Sequence, residues 1–335
     1  MDTLSIALAN LTSIPILVFI AAVLVSRFSP ELKLPDSIYQ FLAVFLLLGI
    51  GLKGGHAIKS AEGETLLWPA LAALGLGIVI PFIAYGILRL TRRFSQVDSG
   101  SLAAHYGSTS LVTFAAGLVM LESLSIFVEP FTAALLAIME VPGIVIGIYL
   151  GTRRSKAAST TAGPAPQVSR LATIKEIFLS KTVFLLLLGL LVGFLAPEAS
   201  FVRVSPFFVA LEPGILVLFL LQLGLMVGSR LDTLRSAGPW LPVFALIMPL
   251  IGGSLGAFTG IAVGMSVGGA TMLAILTASA SYIAAPAAVS LAMPKANLPV
   301  ALAASLGITF PFNLLIGLPL YVAAATIWKA VLGGA

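Results

Sequence analysis

Apolar runs of about twenty residues recur along this chain, and that feature limits its possible folds more than any other. Wound as an α-helix, such a run matches the hydrocarbon thickness of a bilayer. In lipid, only helices and closed barrels satisfy their own backbone groups. Ten segments can be marked, at about 11–28, 37–57, 65–88, 99–124, 130–151, 182–197, 207–229, 239–264, 268–293 and 298–328. The apolar–polar alternation of a transmembrane β-barrel is absent. Composition agrees: 59% of the 335 residues are hydrophobic, only 9% are charged, and the mean hydropathy is +1.12. Soluble proteins carry roughly a quarter charged residues, so a soluble enzyme is excluded. The fold class is an all-α polytopic membrane protein. The run from Leu11 to Phe28 lacks a basic flank and a clear small-residue cleavage site, so it reads as a first span, not a signal peptide. The absence of cysteine excludes disulfide and thiolate chemistry.

One connection stands apart from the short ones. Arg153-Arg154-Ser155-Lys156 leads into a Ser/Thr/Ala/Gly/Pro stretch, and Leu171 to Leu179 reads as a short surface amphipathic helix. This splits the chain into a five-helix half over 1–152, a cytoplasmic linker and amphipathic segment over 153–181, and a second five-helix half over 182–335. The halves share a pattern at an offset of 173 residues. Val44–Gly55 falls on Val217–Gly228 with six of twelve positions identical, and the same offset sets Ser108 on Ser281 and Glu140 on Asn313. Two inverted repeats are expected, since an odd number of spans per half turns the halves opposite ways. With ten spans, 14 of the 18 basic residues fall on one face, which is the positive-inside pattern. Both termini are then outside and the linker is inside, in a bacterial inner membrane. The net charge of +5 and pI near 9.6 are thus a topology signal. The partner they indicate is a lipid bilayer, not nucleic acid.

The fourth and ninth segments carry the candidate site. His105-Tyr106-Gly107-Ser108-Thr109-Ser110 lies at the centre of one, and Thr277 to Pro286, containing Ser279, Ser281 and Tyr282, at the centre of the other. Glycine loosens a helix and proline removes a donor, so both spans are expected to be interrupted. Paired interrupted spans mark transporter binding sites. Half-helix N-termini after Gly107 and after Tyr282 would each offer about +0.5 of a charge and free N–H groups. With the hydroxyls of Ser108, Thr109, Ser110, Ser279 and Ser281, they suit a small monovalent oxyanion. The competing reading is that mid-span hydroxyls bond to the preceding turn and let helices pack closely. Glu140, beside Pro142, and its repeat partner Asn313 sit mid-span, where a carboxylate costs roughly 2.5–3.5 kcal/mol. Glu140 either coordinates a cation and supports the broken helices, or caps N–H groups freed by a break.

Lys53 and His56 are expected to close the second span at the interface. Tyr85, Tyr149, Trp240, Tyr321 and Trp328 read as interfacial anchors. No cofactor motif, HExxH or Walker loop is present, so an ATP-driven pump is excluded.

The segments Gly49–Ile58, His105–Thr113, Met139-Glu140-Val141-Pro142, Ala278–Ile283 and Pro294-Lys295-Ala296-Asn297 resemble the sodium-dependent bicarbonate transporter superfamily, over nearly the whole chain. The resemblance implies ten spans in inverted repeats, a core and a gate domain, and trimers. It also implies bicarbonate uptake with sodium as coupling ion, and a substrate and sodium site around Ser108–Thr113 and Ser279–Ser281. Thr113 and Gly107 join the substrate-binding set on this ground. Glu140, Asn313, Ser110 and Ser279 form the ion-coupling set. The chain departs at Tyr282, where cyanobacterial members carry an aspartate. Its short linker counts against a PII-like regulatory partner. The alternatives are a cation/proton antiporter using Glu140 with His105, an intramembrane hydrolase using Ser108 with His105, and a lipid-binding scaffold.

Overall fold

Proline, glycine and serine decide where the apolar runs bend. In the computed structural model the structure describes residues 3–29, 31–32, 34–60, 66–153, 181–229 and 238–333. The linker and amphipathic segment, residues 154–180, lie outside them. The first segment is two helices, α1 (Thr3–Leu11) and α2 (Ile14–Phe28), bent by 58° where Pro15 opens α2. It therefore starts at Thr3, eight residues before the expected Leu11. α3 (Asp36–Ser60) and α4 (Leu67–Leu90) follow. The fourth segment splits into α5 (Gln96–Gly107) and α6 (Leu111–Ser123), and α7 (Thr132–Thr152) is continuous through Pro142.

In the second part, α8 (Lys181–Leu195) precedes α9 (Glu198–Phe208), an amphipathic helix with no buried residue. Phe207 and Phe208 of α9 rest their rings on Phe45 of α3 at 5.1 and 5.4 Å. The seventh segment consequently begins at Glu212, not 207, as α10 (Glu212–Ser229). α11 (Trp240–Ala262) is followed by the split ninth segment, α12 (Val267–Ala278) and α13 (Ala284–Ala292). The last segment is α14 (Leu298–Ala304), two π-helical turns at Ser305–Thr309 and Asn313–Gly317 around a single α turn, and α15 (Leu318–Leu332).

Among the described residues, seven helical stretches are long and apolar enough to cross a membrane, or eight if the bent α1–α2 pair is one span. α8 and α12 are shorter apolar helices.

The helices pack in two groups. α2 lies along α10 and α3 along α8, forming a first bundle. The second bundle is built on α5 against α7, α11 against α12, α4 against α7, and α11 against α15. α1 leaves the first bundle to reach the second, where Asn10 Nδ2 donates to the Leu314 carbonyl at 2.7 Å. Small residues set the close approaches, as in other lipid-embedded helix pairs. A Cβ on Gly51 would lie 2.7 Å from the Leu186 carbonyl oxygen and 2.9 Å from the Gly189 Cα, so α3 and α8 touch backbone to backbone. A Cβ on Gly107 would likewise lie 2.8 Å from the Gly143 Cα, fixing α5 on α7.

Gly51→Val is expected to push α3 off α8 and cost about 1–3 kcal/mol, the usual range for overpacking. Thermal unfolding in detergent checks this, and an unchanged melting temperature would show that the crossing tolerates a side chain.

Candidate functional site

The two interruptions are built alike. α5 and α12 are each 12 residues long. Each is N-capped by a serine, Ser95 accepting from Asp98 N and Ser266 from Gly269 N. Each ends on an extended serine, Ser108 (φ −98°, ψ 166°) and Ser279 (φ −83°, ψ 166°). The structural counterpart of Ser108 is therefore Ser279, not Ser281 as the 173-residue offset has it. Two residues are lost ahead of Ser266 and regained in the second break, which runs over 279–283 against 108–110 in the first. The helices beyond the breaks start at Leu111 and Ala284, which restores the offset.

The breaks cross and satisfy one another. Ser281 N donates to the His105 carbonyl at 2.8 Å, and Ser110 N donates to Ser279 Oγ at 2.9 Å. Ser110 Oγ donates to the Tyr282 hydroxyl at 3.1 Å, and accepts from Thr113 Oγ1 at 2.9 Å and Thr113 N at 3.3 Å. Ser281 Oγ accepts from Ala284 N and Ala285 N, both at 3.2 Å, capping α13. Gly107, Ser108, Thr109, Ser110, Thr113, Ser279, Ser281 and Tyr282 are all buried. Ser110, Thr113, Ser279 and Tyr282 thus form one hydroxyl cluster. Ser108 Oγ, in contrast, lies beside the Glu140 carboxylate without reaching full hydrogen-bond geometry.

Glu140 and Asn313 each brace a break. Glu140, buried on α7, accepts from Thr109 Oγ1 at 2.6 Å. Its link to the break runs through a hydroxyl. Asn313 Nδ2 donates to the Ala278 carbonyl at 2.9 Å, the last residue of α12, and its Oδ1 accepts from the Tyr321 hydroxyl at 2.6 Å. Tyr321 is therefore a buried brace, not an interfacial anchor; its apolar neighbourhood near the end of a run concealed this. Tyr85 is also buried, with Arg153 over its ring at 5.6 Å, whereas Tyr149 and Trp240 are exposed. Tyr106 and Thr309 were not singled out by sequence. The Tyr106 hydroxyl and Thr309 Oγ1 meet at 2.6 Å, and Thr309 Oγ1 donates to the Ala245 carbonyl at 2.7 Å, tying α5 to the π-helical turn and to α11. π-helical turns favour functional sites, a signal that hydropathy does not carry.

His105 is fully buried, with Nδ1 2.7 Å from the Ser101 carbonyl oxygen and Nε2 without a hydrogen-bond partner. It therefore bonds to neither Glu140 nor Ser108. The ionisable pair of an antiporter and the nucleophile–base pair of a hydrolase are both unassembled in this arrangement.

Outside the crossing, each broken span is tied to the loop that follows the other. Asp98 Oδ1, in the first turn of α5, accepts from Asn297 N at 2.8 Å in the loop after α13. Glu129, in the loop after α6, accepts from Ser266 N at 2.5 Å and Ser266 Oγ at 2.8 Å at the head of α12. Glu129→Ala is expected to lower stability by roughly 1.5–3 kcal/mol, the worth of a hydrogen bond to a charged group. Calorimetric or fluorescence melting checks it.

Comparison with known proteins bears on what this assembly does. The sequence profile of the Na+-dependent bicarbonate transporter superfamily matches residues 15–326, nearly the whole chain and both breaks. No curated relative matches the chain. The apolar helices and this match make it an integral membrane transporter, and the chain belongs to the Na+-dependent bicarbonate transporter superfamily.

Proposed function

We propose that the chain is a sodium-coupled carrier of bicarbonate, or of a similarly small monovalent oxyanion, with its site where the two breaks cross. One observation carries this reading: α6 and α13 both begin at the same buried, hydrogen-bonded group of hydroxyls. Two helix N-termini together supply about one positive unit. Gly107, Ser108, Thr109, Ser110, Thr113, Ser279, Ser281 and Tyr282 line the anion position. The Ser108 hydroxyl, beside Glu140 and without a close hydrogen bond, is a further donor for it. Sodium takes oxygen ligands, and Glu140, Ser110 and Ser279 supply them beside the break. The carboxylate of Glu140 is buried against hydroxyls, and a cation would offset its charge. Asn313, whose amide is engaged at both ends, holds the Ala278 carbonyl in place.

The ten helical stretches are read as ten spans in two inverted halves, 1–152 and 182–335, joined by a cytoplasmic linker over 153–181, with both termini outside. The packing supports this. Exchanging first-half for second-half counterparts turns the α3–α8 pair into the α10–α2 pair, and the α4–α7 pair into α11–α15. The matched serine caps and break serines follow the same exchange. Transport is then a displacement of the second bundle, carrying the crossing, against the first.

Purified protein in proteoliposomes is expected to accumulate labelled bicarbonate when sodium is high outside, and not when potassium replaces it. Absence of uptake under either gradient overturns the reading. Glu140→Gln is expected to leave the fold intact and to reduce sodium stimulation, within the roughly 5- to 150-fold range of site-to-site coupling. A pH-sensitive dye in the same vesicles reports the antiporter alternative, in which added sodium would move protons without bicarbonate.

A further inference from the structure

Lys53, Glu122 and Glu212 come from three helices and meet at one end of the molecule. Lys53 Nζ is 2.5 Å from Glu122 Oε1 and 3.6 Å from Glu212 Oε2. Lys53 on α3 and Glu212 on α10 belong to the first bundle, and Glu122 ends α6, which packs on α12 of the second while also touching α3 and α10. The short contact therefore crosses the boundary between bundles, whereas the longer one stays within the first. The two carboxylates differ in setting. The Glu122 side chain is 51% exposed, whereas that of Glu212 is 4% exposed and its Oε1 has no hydrogen-bond partner. Lys53 thus touches both carboxylates at once, closely at Glu122 and loosely at Glu212, and the second Glu212 oxygen is left unfilled.

The offset that relates the halves gives this cluster no counterpart. Met226 falls opposite Lys53 and Lys295 opposite Glu122, and those two residues cannot form a salt bridge.

We propose that Lys53 is a two-position latch between the bundles, holding Glu122 in this arrangement and passing to Glu212 when the bundles part at this end. The transfer keeps the ammonium paired throughout. It leaves behind only the exposed carboxylate, which water solvates readily. A latch at one end alone gives the alternation a resting side. This inference rests on the reading of the two bundles as moving parts. A cleft lined by Asn10, Ser13, Val119, Met120, Ser123 and Leu216 lies between them along the same stretch of α6, and release of the latch widens it.

The absence of native cysteine makes the test direct, because Val119→Cys is then the single thiol and lies in the cleft. Its labelling by a bulky maleimide is followed in nanodiscs, without substrate. Glu122→Gln is expected to raise the labelling rate roughly two- to fivefold, the scale of an exposed ion pair. Glu212→Gln is expected to lower it, because Lys53 then loses its second position. Lys53→Gln, which removes the ammonium from both, is expected to raise it as Glu122→Gln does. A merely structural cluster would shift both carboxylate variants the same way, together with their melting temperatures. Same-sign changes, or no change in Glu122→Gln and Lys53→Gln, overturn the latch. Labelling needs no transported ion, so failed bicarbonate uptake beside the expected labelling pattern would refute the transport reading and leave the latch standing.

Discussion

Two hydrogen bonds between the broken segments hold the arrangement together: Ser281 N to the His105 carbonyl, and Ser110 N to Ser279 Oγ. Backbone that leaves the helical pattern at membrane depth must find partners in protein or trapped water. An unpartnered amide there costs several kcal/mol. Here each break supplies the donor or acceptor that the other lacks, so neither interruption is tenable without its partner. Much of the second bundle follows from that dependence. Gly107 against Gly143 brings the first break close, Thr109 and Glu140 hold its middle, and Asn313 with Tyr321 holds the end of α12.

The same constraint shapes the electrostatics. A buried arginine or lysine would hold an anion strongly but would itself need a permanent counter-charge in lipid. In the proposed site, helix ends and hydroxyls would give a weaker field that costs little when no anion is bound. Glu140 is the carboxylate at the break itself; Lys53, Glu122, Glu129 and Asp98 lie away from it and fasten one element to another. Away from Glu140, charge organises the boundaries, and dipoles organise the centre.

The sequence makes much of this legible, for reasons that can be named. Long apolar runs announce helices because the bilayer demands them. The interruptions show because glycine and clustered hydroxyls are unusual at the centre of such runs, and the family resemblance attaches a chemistry to them. The pairing of Ser108 with Ser279 is not legible, because a two-residue loss before Ser266 and a two-residue gain after Ala278 cancel in any single offset. Tyr321 is obscured for a different reason: an aromatic residue near the end of a span has the same local signature whether it faces lipid or braces an asparagine. Lys53 and Glu122 are 69 residues apart, and no periodicity joins them. Such contacts depend on how bundles assemble, which local pattern does not encode.

The inequality of the two breaks, three residues against five, has a kinetic meaning. A carrier with identical halves would meet the same barrier on its way to either face. On the carrier reading proposed above, a tight turn on one side and a longer one bearing Tyr282 on the other would give the two half-cycles different barriers. Such a protein loads and unloads at different speeds, while the accumulation it reaches at equilibrium is still set by the gradients alone.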